Sequence, residues 1–221
     1  MTWNLPNILT VLRLFAAPAV GLVFLFLPRP IADWAALILF ISAALTDYFD
    51  GYLARKWEQT TKFGAMLDPI ADKAMVIIAF AVILGLFGLS VWVLLPVTLI
   101  LFREVFVAGL REFLGAAAGT LKVTKLAKWK TTVQMVAISL LFCWGIAEHY
   151  LGMWTYGMSP EIVEGVLNGT VPDELGLNMV HNAWLASSYG GLVLLWVAGA
   201  LTFITGWDYF VKALPFLHED A

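Results

Sequence analysis

Six apolar runs alternate with more polar connections along the chain: Ile8–Leu27, Trp34–Leu53, Ile70–Phe87, Val91–Leu110, Thr131–Ala147 and Ser188–Trp207. Each is 17–20 residues long, close to the roughly 20 helical residues that cross a bilayer core. Lipid offers no hydrogen bonds, so isolated apolar runs of this length satisfy their backbone as helices. Pro28 and Pro30 close the first run, Gly88 breaks the chain after the third, and Pro96 and the Arg103-Glu104 pair interrupt the fourth. The pattern predicts an all-α integral membrane protein of six transmembrane helices, with an interfacial helical turn at the N-terminus. No stretch is left for a separate soluble domain, so residues 1–221 read as one membrane domain with an acidic insertion at about 150–187.

Composition agrees. The 221 residues are 61% hydrophobic and 13% charged, with a mean hydropathy of +0.85. Soluble domains average about 45–50% apolar and about 25% charged. The N-terminal "MTWNLPNILTVLRLF" lacks a basic leader and a small-residue cleavage site, so it reads as retained. With Cys143 alone, no disulfide within one chain is expected. Charge placement says more than the net charge. Arg55, Lys56, Lys62 and Lys73 follow the second run, and Arg103, Arg111, Lys122, Lys125, Lys128 and Lys130 follow or end the fourth. Both connections are even-numbered and so share one side. Glu148–Ser187 holds no Lys or Arg but five acids. Cytoplasmic loops carry the basic excess, which puts the basic connections and both termini in the cytoplasm and the acidic segment outside. Trp34, Trp57, Trp92, Trp129, Trp154, Trp184 and Trp207 fall near run ends, as interfacial aromatic belts do.

Against this background "DYFDGYLARKWEQTTKFGAMLDPIADK", Asp47–Lys73, gathers four aspartates. Asp47, Asp50, Gly51 and Ala54 share one helix face at about 3.6 residues per turn, and Asp68 and Asp72 form an i,i+4 pair on the next helix. A short connection makes the two helices antiparallel neighbours, so both faces lie at the same end. Carboxylates brought together must be protonated or neutralised by cations, and their oxygens suit hard divalent ions. Gly51, Ala54, Gly64 and Ala71 leave room for a ligand, and Arg55 suits a phosphate. The residues alone leave two other readings open. The acids are solvated interfacial charges paired with neighbouring Lys and Arg, or they line an ion pathway.

The full spacing, Asp47-x2-Asp50-Gly51-x2-Ala54-Arg55-x8-Gly64-x3-Asp68-x3-Asp72, resembles the signature of the CDP-alcohol phosphatidyltransferases at all eight fixed positions. "NLPNILTVLRL" (Asn4–Leu14), "REVFVAGLREFLG" (Arg103–Gly115) and "VTKLAKWKTTVQMVAI" (Val123–Ile138) are similar to the phosphatidylglycerophosphate synthase branch of that family. The segment Tyr150–Ser187 is longer than the resemblance leads one to expect. The resemblance implies that CDP-diacylglycerol donates a phosphatidyl group to sn-glycerol 3-phosphate, giving phosphatidylglycerophosphate and CMP. It implies one or two Mg²⁺ or Mn²⁺ ions on Asp47, Asp50, Asp68 and Asp72, with Asp72 as general base. It further implies that Asp47, Asp50, Gly51, Ala54, Arg55 and Gly64 bind the CDP-lipid, that the chain forms a homodimer among membrane lipids, and that it sits in a bacterial inner membrane with its site facing the cytoplasm.

A dianionic acceptor needs cations, and Arg103, Arg111, Lys125, Lys128 and Lys130 are the candidates. Arg103 lies inside an apolar run, where charge is rare and usually functional, although pairing with Glu104 would also explain it. Asn7, Thr10 and Arg13 are further candidates on the amphipathic first turn; Asn and Thr there would also cap a helix. A sister enzyme using inositol phosphate, serine or phosphatidylglycerol shares the CDP-lipid half. A divalent-cation transporter is the rival of another class, but it would place its acids near mid-membrane on several helices. No nucleic-acid partner is expected.

Overall fold

The computed structural model describes residues 4–56, 61–115, 119 and 125–216, with side chains outside 48–55, 125, 127 and 128. Among them are seven helices: α1 Leu5–Phe26, α2 Ile31–Lys56, α3 Lys62–Phe87, α4 Val91–Leu114, α5 Lys125–Trp154, α6 Pro160–Leu167 and α7 Leu177–Ala213, followed by a short 3₁₀ turn at Leu214–Phe216. No strand occurs among the described residues. Among the described residues, five segments are long and apolar enough to cross a membrane, Leu5–Phe26, Lys62–Phe87, Val91–Leu114, Trp129–Trp154 and Leu177–Phe216. Phe15, Leu25, Phe26, Phe102, Val105 and Phe203 are each more than 60% exposed, an outward apolar surface that suits lipid rather than water. This is a multi-pass membrane protein.

The helices outrun the apolar runs. α3 starts at Lys62 and so carries Asp68 and Asp72 within it, while α5 continues to Trp154 and α7 starts at Leu177. The acidic segment is therefore largely helical rather than a loop. Its capping explains this. The Asp173 carboxylate accepts from the backbone N–H of Leu177 (2.7 Å) and Asn178 (3.0 Å), supplying partners that the first turn of α7 lacks. These bonds, the one from Asn178 first, hold the Asp173 carboxyl below the usual carboxylate range. At the other end, the expected N-terminal turn is the start of α1, which runs unbroken to Phe26 with Asn4 as its cap.

The chain gathers into two compact units. The first takes Met1–Leu86 with Ile138–Gly191, the second Phe87–Ala137 with Leu192–Ala221; α5 and α7 contribute to both. In the first, Ala17 and Val20 of α1, Ala36, Phe40 and Ala43 of α2, Met75, Ala79 and Phe80 of α3, and Ile138 and Phe142 of α5 are buried. Phe40 meets Phe142 with ring centroids 6.1 Å apart. α1 and α2 pack together, and their connection is clamped: Arg29 donates to both oxygens of the buried Asp33 (2.9 and 2.8 Å) and to the carbonyl of Gly145 on α5 (3.2 Å). In the second unit, Gly199 and Gly206 of α7, two turns apart, let α4 approach. A Cβ would lie 3.2 Å from Pro96 at the first and 2.9 Å from Arg103 at the second.

A Cβ on Gly145 would stand 3.3 Å from both Arg29 Nη2 and Asp33 Oδ1. Gly145→Leu is therefore expected to destabilise by about 1–3 kcal/mol through overpacking, read as a lower Tm in detergent. An unchanged Tm would mean that the clamp yields freely.

Candidate active site

The first three turns of α1 place Asn7, Thr10 and Arg13 on one face, and all three are buried. Further along the same face come Ala17 and Val20, so a single stripe is polar at its beginning and small and apolar afterwards. The polar part meets the aspartates. The Thr10 hydroxyl donates to Asp68 Oδ1 at 2.7 Å. Arg13 Nη1 donates to Asp47 and, at 2.7 Å, to Asp72 Oδ1, and Nη2 lies 3.6 Å from Asp68 Oδ1. The Arg13 side chain is 2% exposed, whereas its three carboxylates are 45–49% exposed. One buried guanidinium thus joins α1, α2 and α3 at one end, with the carboxylates forming the open rim.

Asn7 secures the start of α3. Thr61 donates to Asn7 Oδ1 (2.8 Å) and accepts from the Gly64 N–H (3.0 Å), which makes Thr61 the N-cap of the helix that carries Asp68 and Asp72. Gly64 has to be small: a Cβ would lie 2.8 Å from Asn7 Oδ1. Sequence reasoning assigned Gly64 to ligand access and missed Thr61. The sequence hides this cap, because the apolar run that marks the helix begins only at Ile70, nine residues after Thr61.

Three of the four predicted metal aspartates are therefore brought together. Asp50, Gly51, Ala54 and Arg55 lie on the last turns of α2, and their side chains fall outside the described residues. The donor set, carboxylate oxygens alone, fits a hard divalent cation. With Arg13 at their centre, the described carboxylates do not form a group of three that closes on one metal-sized point.

The acceptor candidates divide. Lys130, 6% exposed, and Arg103, 17% exposed, both donate to Glu104 Oε1, Arg103 at 3.2 Å. Glu104 was foreseen as a partner of Arg103 but not of Lys130, 26 residues away. Two cations against one acid leave this cluster net positive. Arg111 is exposed, its guanidinium 5.7 Å from the centre of the Tyr209 ring. The side chains of Lys125 and Lys128 fall outside the described residues.

Comparison with known proteins fits this geometry. Residues 3–160 match the family model described as CDP-alcohol phosphatidyltransferase, and the chain belongs to that family. A protein of Cereibacter sphaeroides named CDP-diacylglycerol–glycerol-3-phosphate 3-phosphatidyltransferase is 60% identical over 220 residues, 100% of both chains. A protein of the same name from Rickettsia bellii is 39% identical over 207 residues, 94% of this chain and 93% of its own. Another from Escherichia coli is 42% identical over 143 residues, 64% of this chain and 78% of its own.

Thr61→Val is expected to cost about 1 kcal/mol by removing the cap and to speed hydrogen exchange at the Gly64 amide. Unchanged exchange there would show that Thr61 does not hold this end of α3.

Proposed function

We propose that the protein transfers a phosphatidyl group from CDP-diacylglycerol to sn-glycerol 3-phosphate, giving phosphatidylglycerophosphate and CMP, in phospholipid biosynthesis. The observation that carries this is the convergence of Asp47, Asp68 and Asp72, at the family's motif spacing, on one end of two neighbouring helices. The full-length likeness to a protein named for this reaction supports the choice of acceptor.

Asp47, Asp50, Asp68 and Asp72 would hold one or two Mg²⁺ or Mn²⁺ ions. A bound divalent ion supplies charge neutralisation to the diphosphate and to the departing CMP. Gly51 and Ala54 leave space for the nucleotide, and Arg55 meets a phosphate oxygen. Asp72 takes the proton from the primary hydroxyl of the acceptor. That oxygen attacks the β-phosphorus, a new P–O bond forms, and the bond to the oxygen bridging to the CMP phosphate breaks. Arg103, Arg111, Lys125, Lys128 and Lys130 are assigned to the acceptor phosphate. The net positive charge around Glu104 supports an anionic acceptor. Asn7 and Thr10 hold α1 and α3 in register so that Asp68 keeps its orientation.

In the same reading α2, 26 residues long, is the sixth span of a single membrane domain. The basic connections lie on the cytoplasmic side of a bacterial inner membrane, as the distribution of Lys and Arg supports. The acidic segment is an external insertion, and the chain works as a homodimer.

Purified protein with CDP-diacylglycerol and Mg²⁺ is expected to release CMP with sn-glycerol 3-phosphate and not with serine, inositol, inositol 1-phosphate or phosphatidylglycerol. Asp72→Asn should lower the rate by about 10²–10⁴-fold. Release with a different acceptor would overturn the pocket assignment while leaving the carboxylate site standing. No release with any acceptor would overturn the transfer itself.

A further inference from the structure

Arg13 has no part in the chemistry above, yet it occupies the centre of the site. It projects from α1, and one of its nitrogens serves both Asp47 of α2 and Asp72 of α3 while the other faces Asp68. A buried guanidinium cannot stand alone without a large desolvation cost, and three carboxylates cannot all stay ionised in one site without a cation. Each requirement answers the other. The match is incomplete, because among the described residues one positive charge stands against three negative ones.

A divalent ion on these carboxylates would take the same oxygens. It would also set two positive charges against the Arg13 charge within a few ångströms. Arg13 must then leave Asp47 and Asp72, and being buried it needs another anion. The diphosphate of the donor brings one, in the bidentate geometry that a guanidinium prefers.

We infer that Arg13 is a resident counter-ion: it holds the carboxylates of α2 and α3 together before metal arrives, and it passes to the diphosphate of the donor when metal displaces it. Metal binding and nucleotide binding are thereby coupled through one side chain. The inference rests on the reading of the aspartates as the metal and CDP-lipid site.

Mn²⁺ binding to the purified full-length chain, followed by loss of the free Mn²⁺ signal in electron paramagnetic resonance, tests it with CDP as the probe and no acceptor present. The wild type should bind Mn²⁺ weakly alone and about tenfold or more tightly with saturating CDP, a typical size for coupling between sites. Arg13→Gln should bind Mn²⁺ alone about tenfold more tightly than wild type and lose most of the enhancement by CDP. Arg13→Lys keeps the charge but loses the second nitrogen that faces Asp68 and the planar fork that meets a phosphate with two bonds, so it should fall between the two; it decides the matter if Arg13→Gln does not fold. Folded variants that bind Mn²⁺ no more tightly than wild type, or that keep the full CDP effect, overturn the counter-ion role and leave Arg13 a purely structural tie. A wild type that binds no Mn²⁺ with or without CDP overturns instead the metal-site reading on which the inference rests.

Discussion

A charge removed from water must find its opposite within a few ångströms, and in lipid no solvent is left to correct an omission. Arg13 is where the protein meets this constraint most severely. Its guanidinium is buried on α1, so Asp47 of α2 and Asp72 of α3 have to reach it, and α1, α2 and α3 are fixed at that end by the need to do so. Thr10 and Asn7, on the same face, add hydrogen bonds to Asp68 and Thr61. The polar end of the first unit is thus held by directional bonds, while Ala17, Val20, Phe40, Phe80 and Phe142 make up buried apolar core further along the same helices and on α5.

The same constraint operates in two other places, and the charge left over differs in each. Arg29 and Asp33 balance one against one, and the pair closes on the Gly145 carbonyl; it is complete and has a mechanical role. Arg103 and Lys130 share Glu104, leaving one positive charge in excess. Around Arg13 the described carboxylates exceed the cation by two. A cluster with excess positive charge favours an anionic ligand, and one with excess negative charge favours a cationic one. The signs match the acceptor phosphate and the divalent metal of the proposed reaction.

The sequence made the aspartates legible because their spacing is local: Asp68 and Asp72 share a helix face, and the motif extends over only 26 residues. Arg13 was one candidate among three, and nothing local could raise it to the centre of the site, since its partners lie 34 and 59 residues away. Lys130 was legible as a cation but not as the partner of Glu104, for the same reason. Helix ends were misjudged in one direction. Apolar runs mark the part of a helix that lies in lipid, whereas α3, α5 and α7 continue into polar sequence as long as caps such as Thr61 and Asp173 serve their first turns. That is why Asp68 lies within α3 and why the acidic segment contains helix.

Close approach between helices is the remaining condition. In lipid the hydrophobic effect gives no drive for helices to associate, so packing depends on small residues that let backbones come near. Gly64 admits Asn7, Gly145 admits the Arg29–Asp33 pair, and Gly206 admits Arg103. In each case the neighbour admitted is a polar or charged side chain. The glycines therefore do more than bring helices together: they make space for groups that lipid would otherwise exclude. Position 64 shows the point most sharply. A methyl group there would meet Asn7 Oδ1 at 2.8 Å and displace the residue that ties α1 to the cap of α3, one turn before Asp68. The glycine of the family motif is thus required by the packing of α1, and a sequence motif that looks like a binding site is in part the imprint of the helix behind it.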